Sequence, residues 1–163
     1  MLLLILLLSL LPISTGWAAT ASIDIYVDIV KPTQSSALQI EAPKYVFTTN
    51  YDTSQETFHD LYIPFTVVNP KSDSVSNYEI TLFDVQNRCS KDADEQPIPV
   101  TVFLNEQSFA EGESLTFSNF VVEDETDQWT HHELTVAFEV LPQNTYGGYY
   151  CDGHLSLIVE EAV

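Results

Sequence analysis

The stretch ATASIDIYVDIVKP, residues 19 to 32, decides how this chain is read. Ile23, Ile25, Val27 and Ile29 alternate with Asp24, Tyr26 and Asp28, so one face is apolar and the other carries charge. A period of two is the pattern of a β-strand that buries one side only. The strand begins just after a strongly apolar leader, which raises the question of what covers its apolar face.

The leader reads MLLLILLLSLLPISTGWAATA. An apolar run from Leu2 to Leu8, continuing to Leu11, is followed by Pro12 and then by small residues. This is the layout of a signal peptide with its cleavage region, and the run is too short to span a bilayer. Residues 1 to 21 are therefore expected to direct export. Small residues at the two positions that matter place the cut after Ala18 (with Gly16) or after Ala21 (with Ala19). No Lys or Arg precedes the apolar run.

Cleavage leaves about 142 to 145 residues, the size of one domain. With 45% hydrophobic residues the chain can build a packed core. No second apolar run is long enough for a membrane span, so no membrane insertion is expected. Net charge is −19, from 24 acidic and 5 basic residues. Such a surface repels phosphate backbones and anionic lipid, which argues against nucleic acid as a partner.

Cys89 and Cys151 are the only cysteines. In an exported chain they are expected to pair, and closing so long a loop is worth up to about 4 kcal/mol in chain entropy. No CxxC spacing supports a reactive thiol pair.

Further along, the alternation recurs. LQIEAPKYVFTTN gives two short extended pieces broken by Pro43. LYIPFTVVN puts Leu61, Ile63, Phe65 and Val67 on one face, and Pro64 marks an edge strand or a bulge. NPKSDSVSN is a turn-rich connection. YEITLFDVQ, PVTVFL, SLTFSNFVV, ELTVAFEVL and GHLSLIVE follow, with Leu155, Leu157 and Val159 on the apolar face of the last. SKDADEQPIP and VEDETDQWTHH read as charged loops. No window gives a helical stripe. Eight or nine short strands in one domain predict an all-β fold, an antiparallel immunoglobulin-like sandwich.

Candidate chemistry is thin. Asp92, Asp94 and Glu95, or Glu123, Asp124, Glu125 and Asp127, could offer oxygens to calcium, but neither set has the Gly turn or the ligand spacing of a calcium loop. His131, His132 and Glu133, with His154 or His59, invite a metal reading. Adjacent strand residues point to opposite faces, however, so a pair of surface histidines fits better. No serine stands in a GxSxG elbow, no carboxylate pair is singled out, and no phosphate-cradling glycine loop exists. No catalytic residue, metal or cofactor is expected, and the chain does not read as an enzyme. Tyr146, Tyr149, Tyr150 and Trp129 could stack on sugars, which makes a secreted, monomeric carbohydrate-binding or adhesion module the alternative reading.

The two ends and the middle of the chain together resemble a known family. An alternating strand, TASIDIYVDIV, opens the exported part. IPVTVFLNEQSFAEGESLTF resembles the family's central strand–turn–strand hairpin. NTYGGYYCDGHLSLIVEEAV resembles its closing signature, with one extra residue between Tyr150 and Gly153 that reads as a bulge. The family is that of chaperone–usher pilus (fimbrial) subunits, and the chain looks most like the alternate colonisation-factor major pilins of enteric bacteria.

The resemblance implies an incomplete immunoglobulin-like sandwich of residues 32 to 163, preceded by a donor strand of residues 22 to 31. In that reading Ile23, Ile25, Val27 and Ile29 of one subunit enter a neighbour's groove, one wall of which is Leu155, Leu157 and Val159. The implied partners are identical or related pilin subunits, a periplasmic chaperone, an outer-membrane usher, and a host receptor or glycan. The implied location is a fimbrium on the cell surface, reached through the periplasm.

Overall fold

The computed structural model describes residues 21–30, 38–73, 75–141 and 149–162. Residues 1–20 of the expected signal peptide, with the cleavage site after Ala18, and Tyr146 lie outside them. The described residues form thirteen β-elements and no helix, arranged as two sheets.

The first sheet runs in the order β10 (Ser114–Ser118), β6 (Asn77–Lys91), β13 (Tyr150–Glu161), β1 (Ser22–Val30), β3 (Val46–Asp52) and β4 (Thr57–Phe58), with β7 (Asp94–Pro97) also on β6. The second runs β2 (Gln39–Glu41), β5 (Leu61–Pro70), β12 (Asp127–Phe138), β8 (Val100–Leu104) and β9 (Gln107–Ser108), with β11 (Val122–Glu123) on β12. Five elements are pieces of two to four residues. The other eight are the strands that the alternation marks out. Every described pairing is antiparallel except that of β1 with β13.

Alternation turns one side of each long strand inward, and the two apolar faces meet. Ile23, Phe47, Ile80 and Leu157 from the first sheet and Ile63, Phe65, Leu104 and Leu134 from the second are all buried in one core. The facing layers are those of an all-β sandwich. Cys89 and Cys151 are bonded across the β6–β13 ladder. Their Cα atoms are 4.0 Å apart, as befits one of the close, non-hydrogen-bonded positions of an antiparallel pair.

Several sequence expectations need correction. SKDADEQPIP is no open loop: β6 turns back into β7 at Asp92, which adopts a positive φ of 54°. VEDETDQWTHH is likewise a tight hairpin of β11 and β12. There the Asp124 carboxylate accepts the backbone N–H groups of Thr126 and Asp127, both at 2.8 Å. The central hairpin has a return arm of two residues only, because after β9 the chain crosses to the first sheet and pairs as β10 with β6. Pro64 does sit at an edge, since β2 covers only Thr66 to Val68 of β5.

The bulge lies elsewhere than expected. β13 pairs with β6 without interruption from Tyr150 to Ser156, so nothing is extruded between Tyr150 and Gly153. The irregularity is on β6, where Ser156 faces Asp84 but Leu157 faces Leu82. Phe83 is the extra residue, and it is exposed. It shifts the buried positions of β6 from Tyr78, Ile80 and Leu82 to Asn87 and Cys89, while β13 keeps one phase throughout.

Candidate functional site

The first strand does not stand apart from its domain. β1 fills a slot between β13 and β3, hydrogen-bonded to both. Along β13 it runs parallel, with Ile23 opposite Cys151, Ile25 opposite Gly153, Val27 opposite Leu155 and Ile29 opposite Leu157. Along β3 it runs antiparallel, with Ile23 opposite Thr49 and Ile25 opposite Phe47. Past the ladder ends, the Val27 N–H donates to the Tyr45 carbonyl and the Tyr51 N–H to that of Ala21, both at 2.9 Å.

Ile23, Ile25 and Val27 are buried in the core, and Ile29 packs half-buried against it. At about 1.5–3 kcal/mol for each fully buried aliphatic side chain, these residues supply most of what holds the strand. Asp24 and Asp28 face outward, and Thr48 on β3 donates its hydroxyl to the Asp24 carboxylate at 2.6 Å. Leu155 and Leu157 lie on β13 opposite Val27 and Ile29 of the same chain. Val159 is buried on the same strand but lies beyond the reach of β1, whose pairing ends at Ile158.

Sequence reasoning missed three other parts of the slot: Gly153, Phe47 and the disulfide half Cys151. Gly153 carried a signal, since a glycine inside an alternating strand marks close approach of a neighbour. A Cβ built there would lie 3.1 Å from Ile25 Cγ1 and 2.1 Å from Asn87 Oδ1. Phe47 carried none, because nothing in KYVFTTN says which strand it will face.

The remaining candidates have structural surroundings. Glu95 pairs with Arg88 at 3.1 Å and Glu123 with Lys71 at 3.0 Å. Its hydrogen bonds from Asp127 and Thr126 hold the Asp124 carboxyl below its ordinary range. Tyr149 donates its hydroxyl to Asp94 at 2.6 Å, Tyr150 is exposed, and Trp129 is half-buried on β12. Among the described residues, no three His, Cys, Asp or Glu side chains converge as metal ligands would.

The histidines are not the expected surface pair. His131 is exposed beside Thr66, but His132 is only 3% exposed and belongs to the core. Its ring stacks on Phe65 and meets the edge of Phe117. Asn105 takes the Glu133 N–H on its Oδ1 (3.0 Å) and donates its Nδ2–H to His132 Nδ1 (2.9 Å). His132 Nε2–H is then left to donate to the Tyr78 hydroxyl at 2.6 Å, across the two sheets. Both ring nitrogens are satisfied only in the neutral form. Burial first, and the neighbouring His131 second, pull the His132 pKa down to about 4.

No protein-family model matches the chain, and no curated protein matches it either. Among solved structures it is similar to the CooA pilin subunit of enterotoxigenic Escherichia coli, with a TM-score of 0.43 and 10% sequence identity. That match covers 86% of this chain and 97% of the pilin. It is also similar to CfaE, the adhesive subunit of CFA/I fimbria of enterotoxigenic Escherichia coli, with a TM-score of 0.32 and 10% identity. There the match covers 84% of this chain but only 46% of the adhesin.

Proposed function

We propose that the chain is a structural subunit of a bacterial surface pilus or fimbria, which polymerises by donating its first strand to a neighbour and supports adhesion to host cells. One observation carries this reading: β1 fills a slot lined by residues 46–50 and 151–158, and no hairpin joins it to either flanking strand. The same Ile23, Ile25, Val27 and Ile29 presented by a second copy would meet the same walls. Exchange of an identical element between copies is a low-cost route to association, and a head-to-tail contact that does not close gives a filament. Main-chain hydrogen bonds supply affinity and alternate side-chain pockets supply register.

The resemblance of the opening, central and closing motifs to chaperone–usher pilins supports the rest of the proposal. A periplasmic chaperone occupies the slot first, an outer-membrane usher brings subunits together, and the fibre stands on the cell surface. A second reading is favoured by one fact, the seating of β1 in its own domain. On that reading the chain is a secreted monomeric binding module.

Mixed-isotope cross-linking separates the two. Subunits labelled with 14N and with 15N are assembled together and cross-linked, and peptides joining β1 to β13 are weighed. Pairs of mixed label are expected if strands pass between subunits. Pairs of a single label throughout, in a protein that stays monomeric, would replace the pilin reading with the module.

A further inference from the structure

We propose that the cleft between β6 and β8 binds an extended, basic segment of a partner protein, which adds as a short strand to the free edge of β6 at Val85. The cleft lies on the side of β6 away from β13 and β1, so it is separate from the strand slot. Its volume is 720 Å³, within the range of ligand pockets. Leu82, Val85, Ile98, Val102 and Phe109 give it apolar walls. Two crossings between the sheets frame it, from β7 to β8 through Ile98 and from β9 to β10 through Phe109.

The edge of β6 is open here and nowhere else along its described length. β10 covers Asn77 to Thr81, the Gly112 N–H and the Glu113 carbonyl bond to Leu82, and β7 covers Arg88 to Lys91. Between them residues 83–87 have one contact on this side, from the Ile98 N–H to the Asn87 carbonyl at 2.8 Å. Backbone groups two residues apart point to the same edge of a strand, so Val85 also presents its N–H and C=O toward the cleft. The gap is about 17 Å long, enough for roughly five extended residues. An unpaired strand edge beside apolar pockets is the arrangement that captures a peptide by strand addition.

Charge selects the occupant. Glu95 and Glu111 line the cleft. The lining cation, Arg88, is already shared between Glu95 at 3.1 Å and Asp152 at 3.5 Å. Arg88 is thus already engaged by two carboxylates, and Glu111 adds a further negative charge to the lining, on a chain of net charge −19. The cleft therefore fits a segment that carries apolar side chains between lysines or arginines.

The test uses the 15N-labelled protein and the blocked peptide KVIVK, with EVIVE and a KVIVK N-methylated at alternate residues as comparisons. Saturable amide shifts centred on Val85, Gln86 and Val102 are expected with KVIVK, and binding at least tenfold weaker with each comparison peptide. Glu95→Gln with Glu111→Gln changes exposed side chains only, and is expected to weaken KVIVK binding at least fivefold while leaving the spectrum of the free protein otherwise unchanged. Equal binding of KVIVK and EVIVE, shifts centred on another surface, or indifference to the two Gln substitutions would overturn the proposal.

Discussion

Ile25 and Gly153 face each other across the parallel ladder of β1 and β13, and the glycine's missing side chain is what lets the isoleucine seat. The contact is three-sided. Asn87 on β6 faces Gly153 from the other edge, and its amide oxygen occupies the space where a Cβ would be. The slot for the first strand is thus shaped by a residue on the strand beyond its neighbour.

A side chain at position 153 is therefore expected to loosen β1. Gly153→Ala overpacks a buried site, at a cost of about 1–3 kcal/mol. Thermal melting should move down, and hydrogen exchange at residues 22 to 30 should speed up more than elsewhere. Adding Asn87→Ala removes the closest clash and should restore part of the loss, a coupling that a double-mutant cycle reads directly. A Gly153→Ala protein that melts like the parent would mean that the slot is wider than its geometry implies.

Removal of the disulfide should cost up to about 4 kcal/mol, since the bridge joins residues 62 positions apart. Cys89→Ser with Cys151→Ser should lower the denaturant midpoint without altering the sheet spectrum. The bonded pair sits beside Ile23, so reduction should also weaken protection of the first strand. Peptide mapping of the unreduced protein should find one cross-linked peptide and no free thiol.

Most strands were legible because period two survives wherever one face is buried. SIDIYVDI, LYIPFTVV and GHLSLIVE each state their inward face outright. The FDVQNRC segment of β6 does not, since one extruded residue at Phe83 reverses the phase, and a pattern cannot announce its own interruption. Charge misled the reading of β7 and β11, whose acids face solvent on short hairpins. His132 was misplaced for a related reason. Its burial depends on Asn105, Tyr78 and Phe117 arriving from three other parts of the chain. Which slot β1 enters is likewise beyond alternation, which tells the buried face but not the partner.

His132 predicts a dependence of stability on pH. Its folded pKa, about 4, is lower than the ordinary histidine value of 6.5. The stability it contributes is therefore full above about pH 6.5, and falls as acid protonates the unfolded chain first. The loss is complete near pH 4 and amounts to about 3 kcal/mol at most. Denaturant titrations at several pH values should show this slope, and His132→Phe should flatten it. An imidazole resonance of His132 that titrates near 6.5 in the folded protein would contradict the buried, neutral ring.

The inward face of the first strand should be the most sensitive surface for assembly. Val27 is 4% exposed and faces Leu155, so Val27→Asp places an unpaired carboxylate in an apolar slot, at a cost of several kcal/mol. Asp28→Ala, on the outward face of the same strand, should change little. If subunits donate the strand, Val27→Asp should block fibre formation while a chaperone-bound subunit stays folded, because the chaperone would fill the slot in place of β1. The complementary experiment adds a second copy of residues 19 to 31 after Val163 through a flexible linker, in a chain whose own strand carries Val27→Asp. The linked strand can then occupy the slot, and the protein should recover a soluble, monomeric sandwich that does not polymerise. Recovery without fibres, together with fibres from the unmodified chain, is the result that donation requires. A Val27→Asp chain that assembles as well as the parent would show that the contact between subunits lies somewhere other than this strand.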